Sequence, residues 1–337
     1  MYSDFYGFSQ IPFRLTPDSH FFFPSSGHSS ALSHLVFGLA HQEGFVVVTG
    51  EVGTGKTMLV ERLWERLDRG SYLIARVDTA QVAADDLLRL VGAGFGIGQA
   101  GSKAALLSAV IEILRTQRAA GRRCLLVVDE VQALDFTALE ELRMLSNVAE
   151  RGRSLLQLVL LGQPLFRRTL ADPRLDQLRQ RVLASYHLGP LSRDETRAYI
   201  EHRLRTAGWR ERPQWDDVAF DIVHRYTGGI PRQINRLCGR VLLHGALDRS
   251  DGISATMVEM TATELQEDLA APPVANIEQS SEARDILRRL KALERTVARR
   301  ERMFSRLLDL LGDREAGNGA FNTETPEVRS SPPRVES

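Results

Sequence analysis

The sequence predicts an α/β protein, with a parallel sheet flanked by helices, a small helical lid after it and a C-terminal helix. Three observations carry this expectation. The apolar run Phe45–Val48 leads directly into Gly50-x-x-x-x-Gly55-Lys56-Thr57 and then into a helix pattern. A second apolar run, Cys124–Val128, ends in the paired carboxylates Asp129 and Glu130. From Ser192 onward the alternation of strand and helix patterns gives way to helix patterns alone.

The first observation predicts a phosphate cradle. An unbroken β-branched run suits a strand buried on both faces. Gly50, Gly53 and Gly55 let the backbone curl so that successive N–H groups point inward at an anion. Lys56 adds a mobile charge for the outer phosphates, and Thr57 offers a hydroxyl to Mg²⁺. The helix expected over Met58–Leu67 adds partial positive charge at its N-terminus. The candidate nucleotide-binding set is Gly50, Glu51, Val52, Gly53, Thr54, Gly55, Lys56, Thr57 and Met58, with ATP and Mg²⁺ as cofactors. The alternative is an ordinary glycine turn, which the full match between strand and helix disfavours.

Bulk properties narrow the classes. The chain has 337 residues and formal net charge zero, so no global field draws it to nucleic acid or to an anionic membrane. Two cysteines, Cys124 and Cys238, argue against a disulfide framework and a four-ligand zinc site and fit a reducing compartment. No charged-then-apolar leader opens the sequence, and no apolar run approaches the ~20 residues that span a bilayer. The expectation is a cytoplasmic protein without an integral membrane segment, any membrane contact being peripheral, at the inner membrane.

In chain order, residues 1–27 are aromatic and broken by prolines, which forbid a long helix. Two readings of this arm stand: its rings plug apolar gaps on the main domain, or they form one wall of an adenine pocket. Leu32, Leu35, Val36 and Leu39 predict a helix over 28–40, ending near Gly44. Ser71–Asp78 reads as a strand, followed by helices over 83–95 and 102–120. The glycine-rich link between those helices follows a helix rather than a strand, so it reads as a flexible connection.

Cys124–Glu130 puts two carboxylates at the C-terminal end of a buried strand, the edge where open parallel sheets bind ligands. Asp129 is placed to hold Mg²⁺ through water, and Glu130 to orient and deprotonate an attacking water. A helix is expected over 135–150, a buried strand over 155–162, and the last strand over 186–191. Gln163, at the tip of the 155–162 strand, is either a hydrogen-bond donor to the γ-phosphate or the water, or an ordinary turn residue. Arg174, Arg179 and Arg181 read as a solvated basic face.

Ser192-x-x-Glu195 is a capping box that opens a helix to about Ala207. Further helices are expected over 216–226, 231–247 and 254–269, with Pro231 in a first turn and Arg232 beside it, facing a nucleotide held between core and lid. The organisation is an arm and helix over 1–44, a nucleotide-binding core over 45–191 and a lid over 192–269. Beyond these come a linker over 270–280, a heptad-spaced, possible coiled-coil helix over 281–312 and a disordered tail over 313–337.

Several strings together resemble the AAA+ secretion ATPases related to general secretion pathway protein A, and most nearly the subfamily found with exosortase/PEP-CTERM systems. They are Phe5-Tyr6-Gly7 with Pro12-Phe13 and Thr16-Pro17-Asp18, Gly44–Thr57, Leu126–Glu130 with Gln132, Glu141–Asn147, Leu161–Pro164, Leu178–Val182, Glu201–Trp209 and Gly228–Cys238. They span residues 1–268. The resemblance implies an AAA+ P-loop NTPase in which Gln163 is the first sensor and Arg232 the second. Arg181 would be the arginine finger offered to a neighbouring subunit of a ring, with Arg179 as the fallback. Met58 stands where a second threonine often follows the loop, and Asp18-Ser19 replaces a usual Asp-Pro. The transmembrane and peptidoglycan-binding regions of those relatives have no counterpart, so cell-wall binding is not carried over.

The resemblance implies an ATP-hydrolysing switch or motor serving an envelope secretion or exopolysaccharide export system, with that machinery's proteins as partners. Two other classes compete. A nucleic-acid-dependent ATPase of the transposition-helper or origin-recognition type shares this core, but the balanced charge makes nucleic acid the weaker expectation. A nucleotide-binding scaffold without turnover is opposed by Glu130, since the base is present.

Overall fold

The computed structural model describes residues 2–41, 44–68, 70–79, 84–98 and 102–269. The chain divides into two units after Ala270, and the described residues all belong to the first. The expected linker, heptad helix and tail lie outside the described residues.

The elements run α1 Tyr2–Tyr6, α2 Ser26–His41, β1 Phe45–Gly50, α3 Lys56–Arg66, β2 Tyr72–Asp78, α4 Ala84–Gly94, α5 Lys103–Ala119, β3 Arg123–Asp129 and α6 Phe136–Ser146. They continue with β4 Ala149–Glu150, β5 Arg153–Ser154, β6 Leu156–Gly162, α7 Leu165–Leu170, α8 Asp176–Arg179 and β7 Val182–Leu188. The last group is α9 Arg193–Thr206, β8 Gln214–Trp215, α10 Asp217–Thr227, α11 Pro231–Leu247, β9 Gly252–Ile253 and α12 Ala255–Leu269.

The main sheet has five strands in the order β2-β3-β6-β1-β7, and every pairing in it is parallel. The alternation of a strand explains its two covers. Phe45, Val47, Leu126, Val128, Leu158 and Leu160 join one core, with Leu87 and Val91 of α4, Val110 and Leu114 of α5 and Leu139 and Leu142 of α6. Val46, Val48, Leu125, Val127, Val159 and Leu161 point the other way, onto Leu32, Leu35 and Leu39 of α2 and Leu59 and Leu63 of α3. Both faces being covered, the central strands are apolar at almost every position.

Two expected boundaries are corrected. The helix expected over 135–150 ends at Ser146. The chain then turns through Arg151 and Gly152, both at positive φ, in the small β4–β5 hairpin. The last strand is Val182–Leu188, not 186–191. As an edge strand it is covered only at alternate positions, so it lacks an unbroken apolar run, and Gly189 and Pro190, which the expected strand included, lie beyond it.

The third core is shared by the arm and the lid. Tyr6, Phe8, Phe13 and Phe21 pack with Ile200, Leu204, Val223, Leu237 and Val241. The rings therefore fill the lid rather than gaps on the sheet domain. Arg203 Nε donates to the Pro12 carbonyl at 2.6 Å, and Tyr6 Oη donates to the Ser250 carbonyl at 3.1 Å. The capping box at Ser192 and Glu195 forms in both directions, and Glu195 Oε1 also accepts from the Ser26 N–H at 2.8 Å at the start of α2.

Candidate functional site

Buried β1 delivers Gly50 to the C-terminal edge of the sheet, and the chain reverses there into α3. Gly53 and Gly55 take φ of +87° and +98°, a region L side chains rarely adopt. No side chain caps α3 at Gly55, so the first-turn N–H groups of Lys56, Thr57 and Met58 are open to an anion. Lys56 is buried, and its Nζ donates to the carbonyls of Gly50 at 2.8 Å and Glu51 at 3.0 Å. Burial lowers its pKa, against the opposing pull of Glu130 and Asp129. Thr54 closes the loop on itself, its Oγ1 donating to the Glu51 carbonyl at 2.9 Å.

Strand β3 brings the carboxylates to the same edge. Thr57 Oγ1 donates to Asp129 Oδ2 at 3.0 Å, which places together the two side chains expected to share Mg²⁺. Arg76 of β2 reaches the same oxygen at 3.0 Å. Glu130 leaves the strand in a left-handed conformation, φ 56°. Its Oε2 accepts from Gln163 Nε2 at 3.1 Å and from Gln132 Nε2, while Gln132 Oε1 accepts from the Gln163 N–H at 2.9 Å. Thr79 Oγ1 donates to the carbonyls of Asp129 at 2.7 Å and Glu130 at 3.0 Å, pinning the turn. Sequence reasoning overlooked Arg76 and Thr79. The signal was their place at the end of a strand that pairs with β3 residue for residue, Asp78 opposite Asp129.

The lid meets the loop directly. The Arg232 N–H donates to the Gly53 carbonyl at 3.2 Å, and a Cβ on Gly53 would lie 2.4 Å from the Arg232 Cβ. A cavity of about 340 Å³ opens here, lined by the loop, Glu130, Arg232 and Asn235 of the lid, and Phe21, Phe22 and Phe23 of the arm. The arm thus forms one wall of this cavity as well as filling the lid. His28 of α2, not singled out from sequence, is buried against Gly55. It shares a hydrogen bond with Ser25 Oγ at 2.7 Å, and burial pushes its pKa down to about 4.

Two expected residues lie elsewhere. The Arg181 carbonyl accepts from the Phe45 N–H at 2.8 Å, at the start of β1. β1 has six residues, and at roughly 3.3 Å per residue its ends lie about 17 Å apart. Arg181 and Arg179 therefore sit at the edge opposite their own phosphate loop. The Arg181 guanidinium turns toward the Ser146 carbonyl and hydroxyl, both at 3.4 Å. Arg179 is half-exposed beside Asp176 at 2.7 Å. Neither can touch the anion held by its own chain.

Residues 39–170 match the AAA domain family. Over 247 residues the chain is 40% identical to General secretion pathway protein A of Aeromonas hydrophila, a match covering 72% of this chain and 44% of that protein. The chain thus spans less than half the length of this relative. Among solved structures, Cdc6p from Pyrobaculum aerophilum superposes with a TM-score of 0.59 at 16% identity, covering 80% of this chain and 74% of that one. The Thermotoga maritima RuvB Holliday junction branch migration motor gives 0.51 at 18% identity, covering 76% and 74%. At these identities the likeness is one of fold. Among the described residues no helix is long and apolar enough to cross a membrane.

Proposed function

We propose, from its AAA P-loop fold, that the chain hydrolyses ATP as a switch or motor serving envelope secretion. The observation that carries hydrolysis is the 3.0 Å contact between Thr57 and Asp129, with Glu130 beside them. The phosphate loop, a pair of metal-holding oxygens and a carboxylate base share one sheet edge. Lys56 and the first-turn N–H groups hold the outer phosphates. Thr57 and Asp129 hold Mg²⁺, which when bound offsets phosphate charge. Glu130 takes the proton from the attacking water, and Gln163 orients that carboxylate. Arg232 brings lid charge to the γ-phosphate, and Arg181 or Arg179 supplies a neighbouring copy in a ring.

The secretion role rests on the likeness to General secretion pathway protein A. Its narrower form, an exosortase/PEP-CTERM or exopolysaccharide setting with a peripheral place at the inner membrane, rests on the motif resemblance alone. Phosphate release tests the chemistry. Lys56→Ala should abolish binding of a fluorescent ATP analogue, because the outer phosphates lose their positive partner. Glu130→Gln should bind that analogue at parental affinity and lose turnover by roughly 10²–10⁴. Parental hydrolysis by the glutamine variant would sink the assignment of Glu130.

A second reading, a nucleic-acid-dependent ATPase, is favoured by one observation. The Aeropyrum pernix ORC1 protein, solved in complex with DNA, shares the fold with a TM-score of 0.56. The zero net charge weighs against it. Salt-dependent retention on DNA together with DNA-stimulated hydrolysis would make it the better reading.

A further inference from the structure

Asp129 spends most of its acceptor capacity inside the chain. Its Oδ1 accepts from the Glu130 N–H at 3.0 Å. Its Oδ2 accepts twice, from Thr57 Oγ1 at 3.0 Å and from Arg76 Nη2 at 3.0 Å, and two donors fill the lone pairs of one carboxylate oxygen. The sheet explains why an arginine reaches this point. β2 and β3 run side by side, with Arg76 opposite Val127 and Asp78 opposite Asp129. Residues two apart in a strand share a face. Arg76 is therefore the diagonal neighbour of Asp129, on the face where Val127 packs with Leu59 and Leu63 of α3. On that face Asp78 and Asp129 form a like-charged cross-strand pair, an unfavourable arrangement, and Arg76 is the cation that offsets it. The Asp129 side chain is 5% exposed and that of Arg76 30%. The carboxylate is fixed in the fold, while the guanidinium borders solvent and has room to withdraw.

We infer that Arg76 is a stand-in for the metal: it occupies the second position of Asp129 Oδ2 until Mg²⁺ takes over, and so lets ATP enter the loop without the metal. This rests on the nucleotide-binding reading above and adds what governs its metal dependence. A metal ion held by Thr57 Oγ1 lies beside the oxygen that Thr57 touches, which is Oδ2. Mg²⁺ keeps several of its waters, and a bound water between metal and carboxylate needs the acceptor position that Arg76 fills. The two cations therefore exclude one another at this oxygen. Without either of them, Asp78, Asp129 and Glu130 would present three carboxylates to an incoming triphosphate, with Lys56 the cation of the loop. Arg76 removes part of that repulsion, and it does so with a hydrogen bond that a doubly charged ion can displace.

Calorimetric titration of the full chain with ATP, once in EDTA and once in excess Mg²⁺, tests this. Arg76→Met keeps the apolar stem of the side chain and removes the charge. In EDTA it should weaken ATP binding roughly tenfold, the lower end of the worth of a charged hydrogen bond, because the guanidinium is partly screened by solvent. In Mg²⁺ it should bind ATP at least as tightly as the parent, so the gain on adding the metal rises about tenfold. Arg76→Lys returns the charge without the planar fork and should recover part of the metal-free affinity. An equal loss in both conditions would make Arg76 a fold element of the site, and a loss confined to Mg²⁺ would make it a helper of the metal. No change in either would make it idle. Each of these overturns the inference, as does a lysine variant that recovers nothing, or a parental chain that binds ATP with Mg²⁺ alone. If Arg76→Met does not fold, as circular dichroism would report, Arg76→Gln takes its place with the same expected outcomes. A folded parental chain that binds ATP in neither condition overturns the nucleotide-binding reading itself, and this inference with it.

Discussion

The two edges of the parallel sheet handle charge in opposite ways. At the C-terminal edge Lys56, Asp129 and Glu130 are each held by partners from the same chain: loop carbonyls, Thr57 with Arg76, and two glutamines. At the N-terminal edge, among the described residues, the Arg181 guanidinium meets a carbonyl and a hydroxyl, each at 3.4 Å. Arg179 there has a half-exposed i,i+3 pair, an arrangement that contributes little. One edge is closed on itself, and the other presents guanidinium groups that its own site cannot use. The difference matches the proposed ring, in which the guanidinium groups of one copy would serve the phosphate loop of the next.

The largest expected effect breaks this contrast at the arginine edge. If Arg181 serves the next copy in a ring, Arg181→Ala should bind ATP and lose roughly 10³–10⁵ in turnover. Mixing it with Lys56→Ala, which lacks ATP but keeps its arginine, should restore part of the rate. Phosphate release is read across mixing ratios, with Arg179→Ala run in parallel. No recovery at any ratio, with activity independent of protein concentration, would remove the ring from the account.

A smaller effect sharpens the contrast at the loop edge. Gly53→Ala puts a Cβ 2.4 Å from the Arg232 Cβ at a φ of +87°. The strain of a left-handed non-glycine residue is roughly 1–3 kcal/mol, so ATP affinity should fall about tenfold or more. Protease sensitivity of the lid should rise alongside it. Unchanged affinity and protection would show that the lid does not depend on this contact.

The smallest effect on function at neutral pH is one on stability, a pH slope in the acid range. Burial holds the His28 pKa near 4 in the folded chain, against about 6.5 when unfolded. The unfolded state therefore binds the extra proton between those values. Stability is full above pH 6.5 and falls as pH drops toward 4, by up to roughly 3 kcal/mol. His28→Gln should flatten that part of the curve in urea melts, and an unaltered slope would assign it to other groups.

The phosphate half of the site was legible because it is written in backbone terms. Glycines at Gly53 and Gly55, a lysine, a hydroxyl and an acid pair after an apolar strand each report a conformation or a ligand that other residues supply poorly. The lid side of the cavity was not. Tyr199, Arg203 and Asn235 lie on amphipathic helices where they read as ordinary helix residues, and only the fold brings them together. The same limit explains β7: an edge strand covered on alternate positions looks like neither the central strands nor a helix. Arg76 was missed for a third reason, that its significance comes from a partner strand whose register no local pattern states.

The contact of the arm with the lid has a consequence for how the chain is made. Tyr6 finds the Ser250 carbonyl across 244 residues of sequence, and Phe8, Phe13 and Phe21 join a core completed by Leu237 and Val241. During synthesis the aromatic residues of the arm wait, uncovered, until nearly the whole lid has left the ribosome. Such long-range closure is slow, and the waiting apolar segment is the stretch most exposed to chaperones and to self-association. The nascent chain is thus most vulnerable in its arm for as long as the lid is unmade.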